Sequence, residues 1–183
     1  LGTTADNASD LIAIGYQALG GNWENVSLTD NIAIGTSAMG GAINGAINCI
    51  AIGRETLDGV LTTGANGTVG IGYQTLKALT SGGKNTAIGY QAGLETTIGD
   101  FNTYIGYQSG YRTANLNNQH NTFVGYNAGS GDWTSTLSSK NTAIGSNAMI
   151  GAMNSSLQNS AMGYAALSAL TTGNNNIGIG VTA

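Results

Sequence analysis

The sequence predicts an all-β fold, a parallel β-solenoid (β-roll) in which each sequence repeat forms one coil. Three observations predict it: the 183 residues include 30 Gly and no Pro, only five are basic and nine acidic, and one short motif recurs along the whole chain. Apolar residues make up 41% of the chain, which is too many for a disordered protein. The repeats leave no room for a second fold, so we treat 1–183 as a single repeat domain.

The recurring motif is centred on Ile-Gly, and its consensus reads Asn-Thr-Ala-Ile-Gly-Tyr-Gln-Ala. Ten copies occur, with successive glycines 17 to 20 residues apart. The ten motif glycines are Gly15, Gly35, Gly53, Gly72, Gly89, Gly106, Gly125, Gly145, Gly163 and Gly180. This period is too short for a pair of helices but holds two short strands and two turns. About ten coils, each about 4.8 Å from the next, would form a rod roughly 48 Å long.

Alternation within the motif predicts which residues face the core. The residue before the motif glycine is Ile, Val or Met in every copy, and the residue two positions earlier is nearly always β-branched. Both columns are therefore predicted to point inward. The residue between them is Ala or Gly except at Tyr104 and Phe123, so a bare strip is predicted to face outward. The glycine itself serves either a close approach of backbone or a positive φ at a bend, and the sequence leaves both open.

A second apolar residue in most coils is expected to anchor the return strand to the core. These residues are Leu28, Ile47, Leu61, Leu79, Ile98, Leu116, Leu137, Leu157 and Leu170. Each coil still has few large core residues, so burial against other chains is expected to add stability, and we expect an oligomer.

A column of asparagines stands four residues before the motif glycine in seven copies: Asn31, Asn85, Asn102, Asn121, Asn141, Asn159 and Asn176. Stacked side-chain amides can form a hydrogen-bonded ladder at a corner of the coil. We predict such a ladder, and binding of a sugar or an ion is the less favoured interpretation. Cys49 replaces Asn in this column and is expected to be a small buried residue.

Aromatic residues are the best candidates for contact with a ligand or a surface. A tyrosine follows the motif glycine in six copies: Tyr16, Tyr73, Tyr90, Tyr107, Tyr126 and Tyr164. We predict a stacked ladder of rings, with sugar contact or an inter-chain seam as the alternative. Trp23 and Trp133 fall in the two longest coils, where a loop could contact a glycan or the ring could instead pack over the coil.

The residues that would carry catalysis, cofactor binding or metal binding are missing from the sequence. The single histidine, His120, lies in a polar loop without a Ser or Cys nucleophile, and the carboxylates do not form a repeated pair. We therefore expect no enzyme activity, no cofactor and no metal. Five scattered cations argue against nucleic acid as a partner. No apolar run approaches about 18 residues, so no membrane insertion is expected in this segment.

The phase of the repeats at the two ends suggests that the coils continue. Joining Ala183 to Leu1 would place Gly180 and Gly15 at an ordinary coil spacing. A shift of 110 residues also superimposes Gly15 on Gly125 and Trp23 on Trp133, which indicates a duplicated block. We expect the chain to be an uncapped section of a longer fibre, in which the polypeptide continues or chains stack head to tail.

The Asn-x-Ala-Ile-Gly units resemble the head repeats of trimeric autotransporter adhesins. With Tyr-Gln after the glycine, they are still more similar to repeats of bacteriophage tail-fibre and bacterial surface-fibre proteins. Adhesin heads have shorter coils and lack the Tyr-Gln. The resemblance covers all ten coils and implies a left-handed roll, a homotrimer with the small Ala/Gly strip between chains, and an extracellular or virion location.

Together these features predict a structural and adhesive shaft of an extracellular fibre, which attaches to a cell surface by presenting contacts. The partners would be further copies of the chain and a cell-surface glycan or receptor. The alternatives are a bacterial surface adhesin head or a head-to-tail extracellular filament. Less favoured are a glycan-degrading β-helix and an ice-binding solenoid, because the Thr column (Thr86, Thr103, Thr122 and Thr142) is predicted to lie on the core side.

Overall fold

The computed structural model is an all-β solenoid of parallel strands, and it describes residues 7–22, 27–113, 118–133 and 137–183. The strands are β1 (Asn7–Ser9), β2 (Ile12–Ile14), β3 (Ser27–Thr29), β4 (Ile32–Ile34), β5 (Ile43–Asn44), β6 (Ile50–Ile52), β7 (Leu61–Thr62), β8 (Val69–Ile71), β9 (Thr86–Ile88), β10 (Thr103–Ile105), β11 (Thr122–Val124), β12 (Thr142–Ile144), β13 (Ser160–Met162) and β14 (Ile177–Ile179). A short 3₁₀ turn spans Thr63–Ala65.

Ten of these strands form one parallel sheet, in the order β2-β4-β6-β8-β9-β10-β11-β12-β13-β14. Each strand is one copy of the motif, and about nine turns of the solenoid separate the first strand from the last. Pairing is in register, so that Ala87 lies opposite Tyr104 and Tyr104 opposite Phe123. The predicted parallel solenoid is confirmed.

The opposite side of the coil is less regular than the sequence suggests. Only two short pairs form there among the described residues, β1 with β3 and β5 with β7. Most coils instead turn through irregular backbone that still hydrogen-bonds to the next coil, as where the Thr80 N–H donates to the Thr97 carbonyl at 2.8 Å. Because backbone N–H groups of coil after coil are used in this way, proline would remove a ladder bond at many positions.

The predicted facing of the motif strand is wrong. The central residue points inward: Ala33, Ala51 and Ala143 are fully buried, and Tyr104 and Phe123 are among the largest buried side chains. The flanking Ile and Thr columns point outward. Because the Ala/Gly column lies inside the coil, it cannot form the expected strip between chains.

A large residue six positions after the strand centre explains the inverted facing. Met39, Leu57, Leu76 and Met149 occupy this position and are fully buried. They fill the narrow interior from the bend that follows the motif glycine, so only a small side chain fits opposite them on the strand. The sequence interpretation missed this column.

The second apolar column lies in the core only in part. Leu28, Leu61 and Leu79 are fully buried, as predicted, whereas Ile98 and Leu137 are exposed, contrary to the prediction. Leu116 lies outside the described residues. At Ile98 and Leu137 this column therefore does not contribute a buried side chain to the core.

Both explanations for the motif glycines hold at once. Their φ values lie between +126° and +138°, a region that disfavours any side chain. A Cβ on Gly89 would also lie 2.7 Å from the carbonyl carbon of Gly106. The approaching backbone therefore belongs to the next coil of the same chain.

Candidate functional site

Three surfaces of the solenoid carry the features that could contact a partner, and the first is the outer face of the ten-stranded sheet. We define the outer face as the first and third residues of the ten motif strands. The third residues are Ile14, Ile34, Ile52, Ile71, Ile88, Ile105, Val124, Ile144, Met162 and Ile179, all exposed or half-buried. Apolar side chains thus line the whole length of the sheet, whereas monomeric proteins rarely expose so continuous an apolar surface.

Tyrosine rings form the second surface, a ladder at the bend that follows each strand. Tyr73, Tyr90, Tyr107 and Tyr126 stack with successive centroids 5.2, 5.0 and 5.3 Å apart and interplanar angles of 22°, 5° and 12°. The predicted ordered ladder is confirmed for these four. Because each interior ring has a neighbour on both faces, only ring edges and hydroxyls remain for a partner. A sugar could not stack flat on Tyr90 or Tyr107.

Tyr16 and Tyr164 lie in the same column but outside this stack. Both are highly exposed, and the coils next to them carry Thr36 and Ser146 instead of tyrosine. These two rings therefore keep faces that a partner could cover.

An amide ladder that the sequence interpretation missed runs beside the tyrosines. The side chain of Gln108 donates to Gln91 at 2.9 Å, Gln91 donates to Gln74 at 2.8 Å, and Gln74 donates to the Glu55 carboxylate at 2.8 Å. The Lys77 ammonium also donates to Glu55 at 2.6 Å. Hydrogen bonds from Lys77 and then Gln74 lower the pKa of Glu55 from 4.5 to about 2. The Gln after Tyr in the motif was the available signal.

The asparagine column forms the predicted ladder. The Asn141 amide donates to Ser156 O at 2.8 Å and to Asn121 Oδ1 at 3.3 Å, while Asn141 Oδ1 accepts from Asn159 N at 3.0 Å. These side chains are fully buried. With their polar atoms engaged inside the coil, they serve packing and leave no opening for a sugar or an ion.

Trp133 does not have the exposed position that a ligand contact requires. Its ring is fully buried and packs edge-on against Phe123, with centroids 4.9 Å apart. Packing over the coil, the alternative interpretation, therefore describes it. Trp23 lies outside the described residues.

The third surface, which we call the basic ridge, consists of Lys84, Phe101, His120 and Lys140. Each residue directly precedes an asparagine of the ladder, has a φ between 56° and 61°, and is exposed. The Phe101 and His120 rings stack at 4.9 Å with an interplanar angle of 2°, and Lys84 Nζ lies 4.9 Å from the centre of the Phe101 ring. Sequence reasoning treated His120 as an isolated loop residue, although its place in the column could have identified the ridge.

Two clefts flank the basic ridge. One, of about 350 Å³, is lined by residues that include His120, Lys140 and Leu137. The other, of about 340 Å³, is lined by residues that include Lys84, Phe101 and Asp100. Small-molecule sites are concave and combine apolar walls with a few polar groups, and the first cleft has this composition.

The described residues bring no three His, Cys, Asp or Glu side chains together as a metal site. They also form no helix with the length and apolar character needed to cross a membrane. Cys49 is buried, which raises the pKa of its thiol, and its Sγ lies 3.3 Å from the Ala65 carbonyl.

Comparison with known proteins gave no relatives: the chain matches no protein-family model, no curated protein and no solved structure.

Proposed function

We propose that this chain forms the shaft of an extracellular fibre that attaches to a cell surface, such as a phage tail fibre or a similar appendage. Copies of the chain pack laterally through the outer face as a homotrimer of left-handed coils. A bacterial surface adhesin head is the alternative within the same class. The role is to present surface, without catalysis. The proposal rests above all on the continuous apolar outer face, together with the resemblance of the motif.

Lateral packing through the outer face has a direct physical reason. Its aliphatic side chains are 37% exposed at Ile105 and Ile144 and 58% at Ile14. Burying them against another chain contributes about 25 cal/mol for each Å² of apolar surface removed from water. The same register in every coil allows two identical faces to match along a length of roughly 48 Å.

Sedimentation equilibrium of the purified chain tests this proposal. We expect a trimer, and we expect Ile105→Lys with Ile144→Lys to give a monomer with an unchanged far-UV circular dichroism spectrum. Val60→Lys is the matched control, because Val60 is 49% exposed but does not belong to the outer face. A wild-type chain that stays monomeric at high micromolar concentration would refute lateral packing.

One observation favours a second candidate, an ice-binding face. The Thr column faces outward, contrary to the sequence prediction, and Thr86, Thr103, Thr122 and Thr142 are in register on neighbouring strands. A regular array of hydroxyls and methyl groups at one-coil spacing could order water. Thermal hysteresis that is lost in Thr103→Lys would support this function. Ice binding also requires that no other chain cover the outer face.

A further inference from the structure

The basic ridge concentrates positive charge on an otherwise acidic chain. The net charge is −4 with only five Lys and Arg residues, yet two of the lysines flank Phe101 and the single histidine in four successive coils of one column. Among the described residues, both ion pairs of the structure end on Glu55. The ammonium groups of Lys84 and Lys140 therefore have no carboxylate partner there.

The cleft beside Lys140 is suited to an anionic group attached to a sugar ring. Lys140, His120 and Gln158 offer polar groups, while Leu137 and Leu157 form an apolar wall. Among the residues that the structure describes, no carboxylate lines this cleft. A pyranose ring has an apolar C–H face and a polar rim, so it can use the leucines and the polar groups together. A small inorganic anion would gain nothing from Leu137, which is 48% exposed.

The cleft beside Lys84 has a different chemistry. Asp100 lines it and is held in place, since its carboxylate accepts from Gly83 N–H at 2.8 Å and from Gln119 Nε2 at 3.1 Å. Its negative charge disfavours a second anion, whereas a carboxylate, an ammonium and the Asn66 amide suit sugar hydroxyls. The stacked rings of Phe101 and His120 connect the two clefts.

We infer that the basic ridge binds an acidic oligosaccharide that lies along the solenoid axis, with its carboxylate or sulfate group at Lys140 and neighbouring hydroxyls at Asp100 and Lys84. Lys84 and Lys140 are three coils apart, a distance of roughly 14 Å along the axis. That span requires more than one sugar unit. The inference rests on the proposed attachment function for its biological meaning, because it names the class of glycan that the fibre contacts.

Isothermal titration calorimetry with defined oligomers tests the inference. The probes are a galacturonate hexamer, which carries carboxylates, a heparin-derived hexasaccharide, which carries sulfates, neutral cellohexaose, and polyphosphate of similar length. Lys140→Gln should weaken binding of the better acidic saccharide by about tenfold or more, since it removes a hydrogen bond to a charged group. Arg54→Gln is the charge-matched control, because Arg54 is 62% exposed at the tyrosine bend and should leave the affinity unchanged.

Tighter binding of the galacturonate hexamer assigns a carboxylate ligand, and tighter binding of the heparin hexasaccharide assigns a sulfate ligand. If polyphosphate binds as tightly as the better acidic saccharide, the ligand need not be a saccharide and the inference fails. If cellohexaose binds as tightly, the ligand need not be acidic and the inference also fails. Equal loss in Lys140→Gln and Arg54→Gln overturns the location. Sedimentation of the same samples separates this result from the proposed fibre, because Lys140→Gln should remain a trimer, and a monomer that binds the acidic saccharide would refute only the fibre.

Discussion

Two neighbouring coils fill the same part of the core with large and small side chains in opposite order. This arrangement predicts that a destabilising change at one of the two positions can be compensated at the other. The coil of β12 places Ala143 at the strand centre and Met149 six residues later, both fully buried. The preceding coil reverses the sizes, with Phe123 at the strand centre and Gly129 at the later position. A Cβ on Gly129 would lie 2.6 Å from Phe123 Cε2. The ring therefore occupies the volume that a methionine side chain fills one coil away.

The size of the effect follows from these contacts. Phe123→Ala should cost about 3–5 kcal/mol through the cavity it leaves. Gly129→Met alone should cost about 1–3 kcal/mol for overpacking and about 1–2 kcal/mol for its φ of +61°. In the double variant the methionine fills the cavity, as Met149 does with a φ of +50°. The strain in φ and the lost edge contact with Trp133 remain, together about 1.5–3.5 kcal/mol.

Urea denaturation followed by far-UV circular dichroism measures the coupling. The double variant should be more stable than Phe123→Ala and far more stable than the sum of the two single changes. Phe123→Ala combined with Gly110→Met is the mismatched control, because Gly110 packs against the ring of Tyr104, which is still present. If the matched and mismatched double variants lose equal stability, Phe123 and Gly129 do not share one core volume and the reasoning is refuted.

Three further changes test the ladders and the bends by the same urea assay. Asn141→Ala should lower the free energy of unfolding by about 2–6 kcal/mol, because two buried backbone groups lose their partner, while the exposed Asn44→Ala should change little. Stability from the Glu55 contacts is complete above pH 4.5 and should be lost as the pH falls towards about 2, since the folded-state pKa is the lower one; Glu55→Gln should flatten that part of the profile. Gly125→Ala should destabilise more than Gly173→Ala, because both have positive φ but only Gly125 would place a Cβ 2.6 Å from a carbonyl oxygen of the next coil.

Repetition made the backbone of this fold predictable. The strand of every coil, the asparagine ladder and four stacked tyrosines follow from residues that recur at one position, because identical coils in register place identical side chains in contact. Register does not depend on which face is buried. For this reason the sheet could be predicted correctly while its inside and outside were exchanged.

The inside could not be assigned from alternation alone. A period of two shows that Ile14 shares a face with Ile12 and not with Ala13, and the larger pair was taken to be the core. In this coil the interior volume is set by the residue at the following bend, which lies six positions away and on another side. Lys84, Phe101 and His120 were overlooked for a similar reason: they differ in chemistry, so they form a column only when their position relative to the asparagines is used.

The exchange of sizes between Phe123 and Gly129 carries information that alternation lacks. Packing links a small residue at the bend to a large one at the strand centre only if both side chains fill one enclosed volume. The strand-centre column, which is Ala or Gly in most coils, must therefore be the inner one. It follows that the third strand residue, Ile, Val or Met in all ten motif copies, does not owe its apolar character to the core of its own coil. Solvent alone gives no reason for aliphatic side chains at ten successive outward-facing positions, each of them exposed or half-buried. The proposed lateral packing against another copy of the chain, or the proposed ice-binding face, would account for them, and the oligomeric state of the chain distinguishes the two.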